Sequence, residues 1–186
     1  VLFRSDVATQ LGVTMNVLRG PLTRDGLSLQ VIDLPDAAER LCWLDHHLHE
    51  LPGSGIIYCL TVDDTRRVAD WLSQRGHSVM AYSGDLENEH RLDAEAALQA
   101  NEIKALVATT ALGMGYDKPD LGFVVHFQAP GSAVAYYQQV GRAGRALDAS
   151  VAVLLRGAED AQIQDWFIQQ AFPEERHVDE VLGVFD

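Results

Sequence analysis

The stretch GIIYCLTVDDTRRVADWLSQRGHSVMAYS, residues 55–83, decides the fold class. Its opening residues, GIIYCLT, form a continuous apolar run bounded by turn residues, which is typical of a strand buried on both faces. The next segment places Val68, Trp71 and Leu72 on one helical face and meets a helix stop at Gly76. A second strand pattern, HSVMAYS, follows at once. Strand, helix and strand in this order predict a parallel βαβ unit with a right-handed crossover.

The same alternation extends in both directions along the chain. Before the quoted stretch, LSLQVIDL predicts a strand and PDAAERLCWLDHHLHEL predicts a helix. After it, helix and strand patterns continue in the order ENEHRLDAEAALQAN, KALVATT, GFVVHFQ, SAVAYYQQVGRAG and SVAVLLR. The sequence therefore predicts an α/β fold over residues 27–156, with a doubly wound, mainly parallel sheet and helices on both faces.

The composition indicates a globular domain and excludes several classes of protein. The chain has 186 residues, of which 47% are hydrophobic, and a formal net charge of −13. Such a chain does not bind nucleic acid over its whole surface, because phosphate neutralisation needs Lys and Arg, although a local cationic site remains compatible. The sequence shows no apolar run of membrane-spanning length, no signal-peptide pattern and no CxxC pair. We therefore expect no membrane partner and a reducing, cytoplasmic setting.

Polar residues follow the predicted strands at the edge where doubly wound sheets bind ligands. This rule points to the loops after Thr61, Tyr82, Thr109 and Gln128. In VATTALGMGYDKPD, residues 107–120, two threonines end a strand and precede a glycine-rich turn and Asp117. Hydroxyls and free backbone N–H groups bind phosphate oxygens, and an aspartate accepts from ribose hydroxyls. The plain alternatives are an ordinary turn with a capping Asp and, for Thr61 and Asp63, a simple cap of the next helix.

The stretch YYQQVGRAGR, residues 136–145, places two arginines close together in an acidic chain. Its pattern predicts a helix in which Gln138, Arg142 and Arg145 share one face. A glycine inside a helix costs about 1 kcal/mol relative to alanine, so we expect a ligand or another surface to approach closely here. Arginine makes planar, bidentate contacts to phosphate oxygens, and the plain alternative is a solvated basic helix face.

Three segments, taken in order, resemble motifs IV, V and VI of superfamily 2 helicases: GIIYCLTVDDTRRVADWLSQRGHSVMAYSG, VATTALGMGYDKPDLGFVVHF and AYYQQVGRAGR. The spellings ALGMGYDKPD and YYQQVGRAGR are most similar to the RecQ family of ATP-dependent DNA helicases. The resemblance covers about residues 27–155, which is most of the chain. Each motif alone is modest evidence, whereas all three in order on predicted strand ends are specific.

The resemblance implies the second of two RecA-like motor domains, with ATP and Mg²⁺ held mainly by the first domain. The chain has no G-x-x-x-x-G-K-[ST] phosphate loop and no DExH box, which belong to that first domain. We therefore expect that this chain does not hydrolyse ATP by itself. Residues 1–26 are expected to be the end of the first domain and a linker, and residues 157–186 a C-terminal helical extension.

By resemblance, the nucleotide-binding residues come from motifs V and VI. Arg145 matches the arginine finger, a catalytic group that stabilises transition-state charge, and Arg142 matches a second phosphate-facing, catalytic arginine. Gln138, Gly115 and Asp117 match ATP-binding positions near the interdomain cleft. The family continues GRAGRDG, whereas this chain reads GRAGRALDAS, so an acidic residue that orients the finger is missing unless Asp148 replaces it.

The resemblance also implies two partners, which are single-stranded or forked DNA and the first RecA-like domain of the same protein. Contacts to the DNA backbone are expected from Thr61, Ser83, Gly84, Thr109 and Thr110. Ser83 and Gly84 stand where the family has HAG, so the family's histidine contact is absent. Many RecQ proteins carry a four-cysteine zinc module after this domain, and no cysteine follows residue 156 in this sequence.

Two other functions stay open. The matching domain of an RNA helicase reads nucleic-acid backbones similarly, although the GMGYDKPD spelling argues against it. A non-catalytic RecA-like binding module is the other, and the presence of both motif VI arginines argues against it. No metal site is predicted, because Cys42, His46 and His49 share a helix face without an evident fourth ligand. His126 is interpreted as a satisfied core or strand-end histidine rather than a catalyst.

Overall fold

The computed structural model describes residues 26–112 and 116–171, which contain a six-stranded sheet. The strands are β1 (Leu27–Asp33), β2 (Ser54–Tyr58), β3 (Val79–Tyr82), β4 (Ala105–Ala108), β5 (Leu121–His126) and β6 (Ser150–Arg156). Neighbouring strands all run parallel, in the order β1–β6–β5–β2–β4–β3. The predicted doubly wound sheet is therefore confirmed, and its described strands are wholly parallel.

The helices of the described residues are α1 (Ala37–His47), α2 (Val62–Gln74), α3 (Asn88–Gln99), α4 (Ala133–Val140) and α5 (Asp160–Ala171). Local sequence sets where they begin. Asp36 and Glu39 form a capping box at the start of α1, and the hydroxyls of Thr61 and Ser132 accept backbone N–H bonds at the starts of α2 and α4. None of the helices named here is long and apolar enough to cross a membrane.

Apolar side chains pack on both faces of the sheet. On one face, Leu44 of α1 and Leu72 of α2 belong to the same buried cluster as Ile57 of β2. On the other face, Leu98 of α3 belongs to a second cluster with Ile56. Successive residues of β2 thus enter opposite clusters, which explains why its sequence is apolar throughout. The prediction of helices on both faces is confirmed.

The helix predicted through YYQQVGRAG ends earlier than expected. α4 stops at Val140, and the rest of the stretch forms a turn. Gly144 has φ +68°, in the left-handed region that favours glycine and does not continue a helix. The prediction that Gln138, Arg142 and Arg145 share one helix face is therefore wrong. Because Gly144 lies in a turn and not in a helix, the free-energy cost of a glycine inside a helix does not apply to it.

Candidate functional site

The predicted nucleotide and nucleic-acid residues lie at two different places on the sheet. Residues 141–145, which we call the arginine turn, pack against the amino end of β5, where the Gly144 N–H donates to the Leu121 carbonyl at 2.8 Å. The loops after β2, β4 and β3, which we call the carboxyl edge, comprise residues 59–61, 109–112 and 83–85. These three strands are neighbours in the sheet, so the predicted DNA contacts share one edge. The arginine turn and the predicted DNA contacts thus lie at opposite ends of the strands.

Arg145 is an exposed side chain of the arginine turn and contacts Asp117. Its Nη1 lies 2.7 Å from Asp117 Oδ1, and its Nε donates to the Gly141 carbonyl at 3.4 Å. The side chains of Arg145 and Asp117 are 42% and 59% exposed, so this ion pair contributes little stability but orients the guanidinium. The sequence GRAGRALDAS has no acidic residue directly after Arg145, and Asp117 is the acidic residue that pairs with this arginine in the structure.

Gly144 fixes the path of the chain just before Arg145. A Cβ added at Gly144 would lie 2.1 Å from Ser150 Oγ and 2.7 Å from Ser150 Cβ. Ser150 is buried at the start of β6. Since the φ of Gly144 is also +68°, both the backbone and the available space demand a glycine here. The arginine turn therefore lies directly against the sheet, which limits how far Arg145 can move.

Arg142 points into the domain. Its Nη1 donates to the Tyr116 carbonyl at 2.9 Å, and its side chain is half-buried. Burial raises the pKa of the Tyr58 hydroxyl to about 12, and the charge of the nearby Arg142 opposes that rise. Arg142 therefore connects the arginine turn with the segment that begins at Tyr116. Gly115, which was predicted to contact ATP, lies outside the described residues.

The inward-facing amide of α4 is Gln139, whereas the predicted Gln138 is exposed. Gln139 Oε1 lies 2.8 Å from Nε2 of His126, and both side chains are buried. Burial lowers the pKa of His126 to about 4, so the ring is neutral at pH 7 and its Nε2–H donates to the amide oxygen. His126 is thus a buried residue at the end of β5, and only its Nε2 is hydrogen-bonded, because the buried Nδ1 has no hydrogen-bond partner among the described residues. The sequence does contain a sign that Gln139 faces inward, because it follows Tyr136 by three residues and so lies on the same helix face. The ring centroid of Tyr136 lies 5.0 Å from that of His126.

At the carboxyl edge, the two predicted threonines after β4 differ in exposure. Thr109 is buried, and its Oγ1 accepts the Ala111 N–H at 3.2 Å. The Thr109 N–H donates to the Tyr82 carbonyl at 3.2 Å, which joins this loop to the end of β3. Thr110 is exposed. Thr109 therefore shapes the loop, and Thr110 is the hydroxyl that an approaching phosphate can reach.

Thr61 caps α2 and belongs to a polar network between two strand ends. Its Oγ1 accepts the Asp64 N–H at 3.0 Å and donates to Asp64 Oδ2 at 2.8 Å. The buried Gln128 donates from Nε2 to the same Asp64 oxygen at 2.9 Å and accepts the Leu60 N–H at 2.9 Å. The interpretation of Thr61 as a helix cap is confirmed. Asp64 and Gln128 fix the carboxyl ends of β2 and β5, a role that the sequence interpretation missed.

The loop after β3 carries a carboxylate beside the predicted DNA contacts. Ser83 is buried, and its Oγ donates to Asp85, whose second oxygen pairs with Arg66 of α2. The Ser83 hydroxyl lowers the pKa of Asp85, which keeps the carboxyl ionised. Gly84 is exposed, and a Cβ there would lie 3.6 Å from Ala111 Cβ, so this loop touches the one after β4. The contact between Arg66 and Asp85 joins two elements and has no counterpart in the spacing of the sequence.

The described residues fit a phosphate better than a metal ion. Over residues 26–112 and 116–171, no group of three or more His, Cys, Asp or Glu side chains is placed to hold a metal ion. Arg145 is an exposed, permanently charged group suited to bidentate contact with phosphate oxygens. The exposed Arg145 and its partner Asp117 are therefore candidates for contact with a phosphate group.

Residues 37–147 match the family described as the helicase conserved C-terminal domain. The chain is 32% identical over 166 residues to "Probable ATP-dependent DNA helicase RecS" of Bacillus subtilis (strain 168), covering 89% of this chain and 34% of that protein. It is 36% identical over 143 residues to "ATP-dependent DNA helicase RecQ" of Pasteurella multocida (strain Pm70), covering 76% of this chain and 22% of that protein. Further relatives carry the names of DNA or RNA helicases. The chain spans about a third or less of the length of these relatives.

The fold is also similar to solved helicase structures. Against the structure of Saccharomyces cerevisiae Dbp5 bound to RNA and ADP BeF3, the TM-score is 0.70 at 23% identity, covering 88% of this chain and 46% of that chain. At this level of identity the similarity shows the fold alone. The described residues therefore share the RecA-like α/β fold of that structure.

Proposed function

Since the chain belongs to the helicase conserved C-terminal domain family, we propose that it is the second motor domain of a RecQ-like, ATP-dependent DNA helicase. Two observations support the RecQ assignment: the motif spellings ALGMGYDKPD and YYQQVGRAGR, and the 36% identity to a RecQ helicase. The chain spans only part of such proteins, so ATP-driven translocation and strand separation are proposed for the longer protein.

The observation that carries this proposal is the position of Arg145. Its guanidinium is exposed, held by Asp117 at 2.7 Å and placed on a turn that Gly144 fixes against β6. A preorganised, exposed cation is what an arginine finger needs, because it stabilises transition-state charge without further rearrangement. We propose that Arg145 reaches the terminal phosphate of ATP bound mainly by the first motor domain. Bound Mg²⁺ would neutralise phosphate charge there.

Three other residues that were predicted to bind ATP have supporting roles in the proposal. Arg142 keeps the arginine turn attached to the segment at Tyr116 through its 2.9 Å hydrogen bond. Asp117 orients Arg145 in the absence of nucleotide and is free to accept from a ribose hydroxyl once the phosphate engages the arginine. Gln138 is exposed on α4 and is assigned to the contact between the two domains.

The carboxyl edge is the proposed surface for DNA. The exposed Thr110 and Gly84 offer a hydroxyl and an unobstructed backbone to phosphate groups. Thr61 lies on the same edge and is held by Asp64, which in turn accepts a hydrogen bond from Gln128. The arginine turn and this edge are different parts of the same domain. Closure of the two motor domains on ATP therefore changes the nucleotide contacts of the turn and the DNA contacts of the edge in one movement. The proposed result is stepwise movement along one strand.

A second candidate is the matching domain of an RNA helicase. A relative named "Putative ATP-dependent RNA helicase R290", 41% identical over 117 residues, favours this candidate. Threonine and backbone contacts to phosphates do not by themselves distinguish the two nucleic acids. A non-catalytic binding module is disfavoured, because both arginines of the motif are retained and one of them is exposed beside an acidic partner.

The test is ATP hydrolysis and duplex separation by the longer protein in which this chain is joined to a phosphate-loop domain. We expect single-stranded DNA to stimulate ATP turnover strongly and RNA of matched sequence to stimulate it weakly. Strand separation of a forked DNA duplex should require ATP. Equal or greater stimulation by RNA would transfer the proposal to the RNA helicase candidate. Loss of ATP turnover with both nucleic acids would reject the motor function.

A further inference from the structure

The carboxyl edge has few cations that could meet a phosphate backbone. Most Lys and Arg side chains of the described residues lie away from the carboxyl edge. Arg40 and Lys118 are buried, and the others are Arg75, Lys104, Arg142, Arg145 and Arg156. Arg66 and Arg67 remain in the second turn of α2, next to the predicted contact Thr61, and Arg91 lies in the first turn of α3. Within residues 26–112 and 116–171, these three arginines are therefore the candidates for phosphate contacts at this edge.

Arg66 and Arg67 are paired with two very different carboxylates. Arg67 faces Asp64 at 3.4 Å, and Asp64 is buried and fixed by hydrogen bonds from Thr61 and Gln128. Arg66 pairs with Asp85, and the side chains of this pair are 55% and 43% exposed. Asp85 lies on the loop after β3, where it also accepts from Ser83 but stays 43% exposed, whereas Asp64 is buried and accepts from both Thr61 and Gln128. Arg66 is therefore the arginine whose partner is replaceable.

We propose that Arg66 binds a phosphate of single-stranded DNA and that Asp85 occupies Arg66 when no DNA is bound. This inference rests on the proposed function of the carboxyl edge. An exposed arginine–carboxylate pair is worth at most about 1 kcal/mol, so a phosphate displaces the carboxylate at small cost. Asp85 then acts as a built-in competitor that weakens DNA binding at this edge.

A matched control lies at the C-terminal end of the same helix. Arg75 lies just after α2, 51% exposed, and its Nε lies 2.8 Å from Asp45 Oδ2. Asp45 is a residue of α1, and neither residue lies on the carboxyl edge. The Arg75–Asp45 pair therefore has the same charges as the Arg66–Asp85 pair and an arginine of similar exposure at a different place. Asp45 itself is 22% exposed, against 43% for Asp85, and also lies 3.0 Å from His77 Nε2. Substitutions in the two pairs change net charge equally, so any difference between them reports position.

The experiment measures binding of fluorescein-labelled oligo(dT) to the 186-residue chain by anisotropy across a salt series, for the wild type and for R66Q, D85N, R75Q and D45N. Each single-strand phosphate contact contributes about 0.7 to the slope of log affinity against log salt. R66Q should therefore lower the slope by about 0.7 and the affinity by about fivefold near 0.1 M salt. D85N should raise the affinity by up to about fivefold, because it releases Arg66. R75Q and D45N should match the wild type.

The outcomes separate this inference from the proposed function. If the wild type binds the oligonucleotide and R66Q behaves like R75Q, the assignment of Arg66 is wrong while the DNA-binding edge stands. If D85N gains no more affinity than D45N, Asp85 does not compete with DNA. If the wild-type chain shows no salt-dependent binding at all, both the inference and the proposed DNA edge are rejected. Thermal melting of each variant confirms that the fold is retained.

Discussion

Replacing Gly144 with alanine tests how the arginine turn is built. The residue has φ +68°, and a residue with a Cβ pays about 1–2 kcal/mol for that left-handed conformation. The new Cβ would also lie 2.1 Å from Ser150 Oγ and 2.7 Å from Ser150 Cβ, and overpacking of this kind costs about 1–3 kcal/mol. Gly144→Ala should therefore lower the free energy of unfolding by about 2–5 kcal/mol, measured by urea denaturation.

Two other glycines provide controls for the separate contributions. Gly53 has φ +57° with no atom within 4 Å of an added Cβ, so Gly53→Ala reports the backbone cost alone. Gly131 has no positive φ and equally open space, so Gly131→Ala should be neutral or slightly stabilising. In a Ser150→Gly background, Gly144→Ala should cost about as much as Gly53→Ala. If Gly144→Ala is no more destabilising than Gly53→Ala, the turn does not press on β6 as described.

Two further predictions concern buried groups. The pKa of His126 is lowered from 6.5 to about 4, so the unfolded state binds its proton first as the pH falls, and stability that is full above pH 6.5 is lost toward pH 4. The wild type should lose about 3 kcal/mol more than His126→Gln between pH 7 and pH 4 in urea titrations, and equal losses would refute the buried neutral ring. Arg40 is fully buried, pairs with Glu159 and lies 4.9 Å from the Phe127 ring centroid. Arg40→Met should lower the free energy of unfolding by about 3 kcal/mol, whereas a loss below about 1 kcal/mol would mean that the pair is not structural.

The strands and most helices follow from short-range patterns in the sequence. GIIYCLT predicts a strand buried on both faces, and the structure shows why, since Ile56 and Ile57 enter opposite apolar clusters. Gly76 ends α2 as predicted, with φ +91° in the left-handed region. These features depend on local chemistry alone, and local chemistry can be read from sequence.

The geometry of the arginine turn could not be derived in the same way. Helical periodicity was extended through Gly141 and Gly144, although glycine is also the residue that ends helices. The choice depends on the contact between Gly144 and Ser150, which tertiary packing creates. The ion pair between Arg66 and Asp85 likewise joins α2 to the loop after β3. The spacing of these two residues in the sequence does not predict this contact.

The central claim is that Arg145 completes an ATP site held mainly by another domain. The most direct measurement compares Arg145→Ala with Arg156→Ala in the longer protein that joins this chain to a phosphate-loop domain. Arg156 is a matched control, 62% exposed and 2.6 Å from Asp33 Oδ1 in a pair on β6 and β1. We predict that Arg145→Ala lowers DNA-stimulated ATP hydrolysis by about 10³-fold or more while ATP binding is largely kept, and that Arg156→Ala retains turnover. Wild-type turnover by Arg145→Ala would contradict the claim.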